Sequence, residues 1–433
     1  MKKLKEELKY GKKGITLISL VITIIVLIIL SGVSIGILTG DNGILTRAQD
    51  VKNKIEETED IEKIRLAIIE AQIGECGYQE LNFHNFQKAL NDQFEGNNAI
   101  VSIEEDGTYT VSCFNTLKDY KVSENNIEQV IDWKEKMENA IAPESQDKER
   151  NNGVIGIGTD GNPVDMDLWE YIFDDETGGY ALNTEEVAIK KTEKTAGYRG
   201  SVEDDGRIEG TIPQYIKIND GEWTAVTSLY RTFQGNDTTN EELKKLTTAP
   251  KIPPTVKSMQ MTFEYCESLN NVICIPGSVK ELRWTFDGYT ALEKMPQIGY
   301  GVEDMKGAFS GCSELKKVTV IPDTVKNLDS TYHDCSSLQE VPRIPNGVTN
   351  MIVTFWNCTG LRNIEITIPE KVTNIQQTFA GCTNLEGTIT INCNPEVYIN
   401  FLQNTTKQII LTGESTMLNQ IKEGRSNVTV VED

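Results

Sequence analysis

The chain has 433 residues, with 42 Lys and Arg against 65 Asp and Glu, a formal net charge of −23. That balance repels polyanions, and no basic patch stands out to offset it, so nucleic acid is excluded as a partner. Two histidines and nine cysteines, with no Cys-x-x-Cys pair and no Cys/His metal spacing, leave little from which to build a zinc site or a Ser/His/Asp or Cys/His nucleophile.

The first fourteen residues hold six Lys against Glu6 and Glu7, and no charged residue follows between Ile15 and Gly40. At about 1.5 Å of rise per residue, Ile15 to Leu38 is long enough for a bilayer core of about 30 Å, so a single transmembrane helix is expected over 15–40. The basic leader, 1–14, stays cytoplasmic and the remainder is delivered outward, which makes the cell surface the expected location. An ordinary signal peptide has a shorter apolar core and a small-residue cleavage site.

Residues 11 to 50, opening with "GKKGITLISLVITIIVLIIL", resemble the prepilin-type leaders of type IV pilins and pseudopilins. The resemblance implies a prepilin-type peptidase as partner, cleavage between Gly14 and Ile15, and methylation of Ile15. Pilins usually carry Glu at the fifth mature position, where it helps subunits assemble, and this chain has Ser19. The implied processing therefore stands apart from assembly into a filament, and an uncut signal anchor is the alternative.

Beyond the "GDNG" of 40–43, the apolar positions Ile44, Ala48, Val51, Ile55, Ile61, Ile64 and Ile68 recur at helical spacing, which predicts one long amphipathic helix. A helix near Phe86 to Phe94 and strands near Ala99 to Glu104 and Tyr109 to Phe114, joined by the turn "EEDG", complete a small pilin-like α+β unit over 41–133. Cys76 and Cys113 both fall in it. Once exported they would share an oxidising space, so a disulfide and two buried thiols are both open.

The polar stretch around "PESQDKERNNG" makes 134–152 a linker. A Gly- and Asp-rich segment of short strand-like runs predicts a β-rich module over 153–225. Its "GIGTDG" matches a phosphate-loop pattern formally, but Pro163 follows and no βαβ unit surrounds it, so a β-turn is expected. Asp160, Asp165 and Asp167 are calcium candidates by ligand type alone and fail the EF-hand pattern. No metal and no cofactor is indicated.

From Val226 a phrase recurs with a period of about 23: Val, a Leu/Met/Ile three residues on, an aromatic after four more, then Cys and Leu at successive steps of three. The in-register triplets are Phe263, Cys266 and Leu269; Phe286, Tyr289 and Leu292; Phe309, Cys312 and Leu315; Tyr332, Cys335 and Leu338; Phe355, Cys358 and Leu361; and Phe379, Cys382 and Leu385. Val226, Leu229 and Phe233 form an earlier copy. Such a period signals a solenoid whose units stack only on neighbours. One unit offers about seven apolar side chains, too few to offset the ordering of its backbone alone at about 1 to 2 kcal/mol per residue. One Cys per coil beside Phe and Leu reads as a small buried core residue.

This phrase, as in "AFSGCSELKKVTVIPDTVKNL" of 308–328, resembles the BspA-like class of leucine-rich repeat over 226–393. The resemblance implies an exported surface protein associated with adhesion. Residues 394–433 lose the phrase and are expected to form a capping unit. The expected whole is an α+β multidomain protein whose solenoid binds an extracellular protein or glycan, without catalysis. A minor pilin or pseudopilin bearing the solenoid as cargo, in a pilin-like assembly, is the second expectation, and an extracellular hydrolase with an acidic pair in the middle module the third.

Overall fold

A computed structural model describes residues 44–74, 77, 78, 80–94, 98–123, 126–141, 153–174, 179–182, 198–235, 241–288, 291–413 and 415–432. Gly14, Ile15, Ser19, the expected transmembrane segment, Cys76 and Tyr289 lie outside the described residues. Among the described residues, no helix is long and apolar enough to cross a membrane. The chain divides into two compact units, Met1–Glu62 and Lys63–Asp433.

Helix α1, Ile44–Gln72, begins directly after Gly43. In its part belonging to the first unit, Val51 and Ile55 are exposed rather than buried, so the predicted apolar stripe is not a core face there. In the second unit Ile64, Ala67 and Ala71 are buried at i, i+3 and i+7 spacing. A two-residue hairpin, β1 (Ile73–Gly74) with β2 (Gly77–Tyr78), precedes α2, Phe83–Gln93. The Asn82 side chain caps α2 by accepting from the Asn85 N–H at 2.9 Å, which satisfies one of the orphan donors of the first turn.

Helix α2 packs on an antiparallel sheet of β3 (Ala99–Ile103), β4 (Tyr109–Cys113), β5 (Lys118–Ser123) and β6 (Asn126–Asp132), in that order. Buried Gln87 pins helix to sheet: its carbonyl accepts the Val101 N–H at 2.8 Å and its amide donates to Ala99 O at 3.0 Å. Two strands more than expected are present. Consecutive Lys118 and Asp119 are both buried, one on each face of β5, which hides its alternation from a hydrophobicity pattern. Cys113 is buried. The expected linker begins instead as a helix, α3 (Trp133–Asn139), because Asp132 caps it by accepting the Lys134 and Glu135 N–H groups.

The middle segment forms a mixed six-stranded sheet of β7 (Val154–Gly158), β8 (Pro163–Val164), β9 (Ile172–Asp174), β10 (Gly179–Ala181), β11 (Pro213–Ile218) and β12 (Thr224–Ser228), ordered β8-β7-β11-β12-β10-β9. The "GIGTDG" run is the β7–β8 hairpin: the Gly161 N–H returns to Gly158 O at 3.0 Å with Gly161 at φ +76°. This sheet is not separate from the repeats. Ser228 at the end of β12 makes the first parallel bridge, to Ser258, and one hydrophobic core runs from Val154 to Val428.

Each repeat is one coil. Single parallel bridges climb through Ser228, Ser258, Glu281, Asp304, Asn327, Asn350, Asn374 and Val397, flanked by short strands β13 (Cys274–Ile275) and β14 (Gln297–Ile298). Five coils start a β-turn at a Pro whose carbonyl accepts the N–H of the repeat valine three residues later, as Pro322 does for Val325 at 3.0 Å. At the C-terminal end the ladder broadens into a parallel sheet of β15 (Ile364–Ile368), β16 (Gly387–Ile391), β17 (Ile409–Gly413) and β18 (Val428–Glu432), with helix α4 (Ser415–Lys422) before the last strand. Residues 394–433 thus add rungs in register rather than only covering an end. Leu402 takes the ring position, and Phe401 turns edge-on to Phe379 at 5.5 Å.

Candidate binding surface

The interior of the array explains which of its sides can present residues. Phe233, Phe263, Phe286, Phe309, Tyr332, Phe355 and Phe379 stack with ring planes 6 to 12° apart and centroids 5.2 to 6.0 Å apart, all fully buried. The offset geometry suits the ring quadrupoles, worth about 0.5–1.5 kcal/mol per pair beyond area burial. Leu269, Leu292, Leu315, Leu338, Leu361 and Leu385 are likewise fully buried.

The cysteines are more than small apolar fillers. Cys266, Cys312, Cys335, Cys358 and Cys382 each direct the thiol at the carbonyl of the preceding coil's aromatic residue, at 2.9 to 3.3 Å. Burial pushes the Cys266, Cys335, Cys358 and Cys382 thiols up, Cys382 to about 12, so these remain protonated donors. A second ladder went unread in the sequence, although a Thr precedes the aromatic in six coils. Thr262, Thr285, Thr331, Thr354 and Thr378 are fully buried and donate to a carbonyl of the preceding coil at 2.8 to 2.9 Å.

Around each ring the backbone makes consecutive tight turns. In one coil the Leu328, Ser330, Tyr332 and Asp334 N–H groups donate to the next coil, while Thr331, His333 and Cys335 close turns within the coil. Ser330 and Asp334 are left-handed, at φ +55° and +58°, and the same two positions are left-handed from coil to coil. This turn edge buries residues in pairs, as with Thr331 and Tyr332, and leaves the pairs between them, Asp329 with Ser330 and His333 with Asp334, partly exposed.

The opposite flank is partly occupied. The Ile103 N–H donates to Cys274 Sγ at 3.3 Å, Glu104 pairs with Lys251 at 2.6 Å and Glu105 pairs with Arg207 at 2.7 Å. The "EEDG" turn is therefore a clasp as well as a hairpin. Burial lowers the pKa of His84, whose ring lies 5.0 Å from Tyr300 in the same seam. A cavity of about 720 Å³ remains between sheet, middle module and coils, lined by Asp119, Arg207, Lys251 and Cys274 among others. Asp119, accepting from Trp133 Nε1 at 3.0 Å, is pushed up by burial to about 6.

Asp160 and Asp165 spend their carboxylates on local turns, accepting the Asn162 and Asp167 N–H groups at 3.0 and 2.9 Å. Asp160, Asp165 and Asp167 do not converge. Among the described residues no three His, Cys, Asp or Glu side chains come together as a metal site.

The turn edge is where the array is most varied. Arg283 pairs with Asp304 at 2.7 Å and Lys306 with Asp329 at 2.9 Å. Trp284, half-buried at φ +55°, lies over Gly307, where an added Cβ would stand 2.1 Å from the indole. Two and three coils beyond Trp284, His333 and Trp356 stack at 4.6 Å with planes 10° apart. Charge is unevenly spread along the chain: residues 226–433 hold 18 basic and 23 acidic side chains, while 41–225 hold 18 and 40. The acidity sits ahead of the repeats.

Residues 305–408 match the family described as BspA type leucine rich repeat region, in six copies. A crystal structure of a leucine-rich repeat protein from Bacteroides ovatus is similar over 61% of this chain and 75% of its own, at 21% identity and a TM-score of 0.29. A search of the curated proteins gives no match.

Proposed function

We propose that this is an exported surface protein, tethered by its N-terminal apolar segment, whose repeat array binds a protein or glycan outside the cell. The observation that carries the reading is the match of residues 305–408 to BspA type repeats, and it is joined in one chain to residues 11–50, which resemble a prepilin-type leader. The turn edge, with ion pairs and aromatic side chains on a rigid ladder, supports recognition over catalysis, because rigid elements hold binding residues in place without ordering cost. The tether and processing rest on residues 1–40 alone. N-terminal mass spectrometry of native membrane and sheared-surface fractions tests them: a chain starting at methylated Ile15 in the sheared fraction favours a pilin-like assembly, and an intact Met1 chain in membranes favours a simple anchor. Recognition is tested by adding full-length chain to immobilised host matrix, mucin and bacterial envelope extracts. Saturable retention on one of them is expected, and failure on all would overturn adhesion.

A further inference from the structure

On the strand flank of the array the parallel pairing is interrupted. Thr248 bridges Asn271, β13 pairs with β14 and Lys294 bridges Lys317, and pairing then resumes only at β15, the first strand of the C-terminal sheet. The coil between, over 339–345, carries Pro342 and Pro345, and a proline has no N–H to give to a ladder. Among the described residues no backbone hydrogen bond joins 339–345 to 362–369. Strand β15 is therefore a sheet edge in the middle of the repeats. The Ile364 N–H donates to Glu386 O at 2.9 Å and Ile368 O accepts the Asn392 N–H at 3.0 Å, so these residues face β16. Backbone groups alternate sides along a strand, which turns those of Glu365 and Thr367 the other way. Among the described residues their N–H and C=O groups have no partner. Both residues are exposed, and they line a groove of about 970 Å³ together with Pro342, Arg343 and Ile344 of the preceding coil.

An open edge of this kind recognises backbone before side chains. Its outward N–H and C=O groups recur every second residue, about 6.6 Å along the strand, and an extended polypeptide repeats its own at the same interval. Added as a further strand, such a segment bonds to the edge through its main chain while its side chains point alternately in and out. The inward ones meet Pro342 and Ile344. The outward ones meet Glu365 and Glu370, two carboxylates with no ion pair among the described residues, against Lys371; Arg343 already pairs with Asp323. Complementarity therefore favours basic residues outward. We infer that the free edge of β15 docks an extended segment of another protein, one that alternates apolar and basic residues. This names a partner class for the recognition proposed above and rests on that reading.

The test is fluorescence anisotropy of the full-length chain with a labelled peptide alternating valine and lysine, and with a second alternating valine and glutamate. Saturable binding of the lysine peptide, tighter than that of the glutamate peptide, is expected. Thr367→Pro deletes an N–H that no bond of the fold uses, a change an edge strand tolerates, and should weaken binding about tenfold. Thr367→Val keeps that N–H and should leave binding unchanged. Far-UV circular dichroism checks that the proline variant folds. Glu365→Lys leaves the backbone alone and should reverse the order of the two peptides, which tests the site even where the proline variant does not fold. Binding unmoved by Thr367→Pro in a folded chain, or an order of peptides unmoved by Glu365→Lys, overturns the site. Saturable retention on matrix, mucin or envelope extract with no binding of either peptide overturns it while leaving recognition standing. Absence of both defeats the two together.

Discussion

At the scale of single residues the array depends on polar groups hidden inside it. Thr354 is fully buried and its Oγ1 donates to Leu328 O at 2.9 Å. Thr354→Val keeps the shape and removes one of two donors to that carbonyl, which still accepts the Thr331 N–H at 3.1 Å, and should cost about 0.5–1.5 kcal/mol in urea unfolding. Asp119 offers a pH signature. Its folded pKa is raised to about 6 by burial, above the ordinary carboxylate value near 3.8, so ionisation is harder in the folded state than in the unfolded one. The resulting penalty is complete above pH 6 and disappears as the pH falls toward 4, amounting to about 3 kcal/mol at its largest. Stability should therefore rise on acidification across that window in the wild-type chain. Asp119→Asn should flatten this rise, because an amide oxygen still accepts the Trp133 indole N–H without carrying charge. Thermal melts at half-unit pH steps read both effects.

Among elements, the most consequential is the hairpin turn between β3 and β4. Glu104 and Glu105 join one sheet to a coil and to the middle module through Lys251 and Arg207. These pairs are partly exposed, so each contributes modestly and is screened by salt. Glu104→Gln together with Glu105→Gln should speed amide exchange at Ile103 several-fold at low ionic strength and little at 0.5 M salt, measured by hydrogen exchange with mass spectrometry. Nothing in "EEDG" announces this role, since a turn sequence encodes local conformation and its partners lie more than a hundred residues away. The repeats were legible for the opposite reason: each coil restates the same spacing, so Phe263, Cys266 and Leu269 are readable against five later copies. Strands β5 and β6 were not legible, because buried Lys118 and Asp119 stand side by side at the start of β5 and break the apolar alternation. The packing of Trp284 on Gly307 was invisible as well: a side chain leans from one coil over a glycine in the next, a relation between copies that the phrase itself does not contain.

For the molecule as a whole, the middle module stands in for a coil that is absent. The Leu182 and Tyr198 N–H groups donate to Ser228 and Thr232 carbonyls, and the rings of Trp169 and Tyr198 close the aromatic stack against Phe233. A chain starting at Ala225 should therefore bare Phe233 and leave two carbonyls without donors, and should bind a hydrophobic dye and run as aggregates in gel filtration where the full-length chain does not. The sequence boundary between 153–225 and the repeats falls inside a strand, β12, and so divides one folded body. A last consequence comes from the paired left-handed residues around each ring. Successive aromatic positions are 23 residues apart from Phe263 to Phe355 and 24 apart between Phe355 and Phe379, and the additional residue falls on the strand side, between Leu361 and Val372. The turn edge acts as a ruler of fixed length, while the strand side takes up slack. Whole copies can then be gained or lost between equivalent points without disturbing the rest, so the reach of this protein is adjustable in steps of one rung.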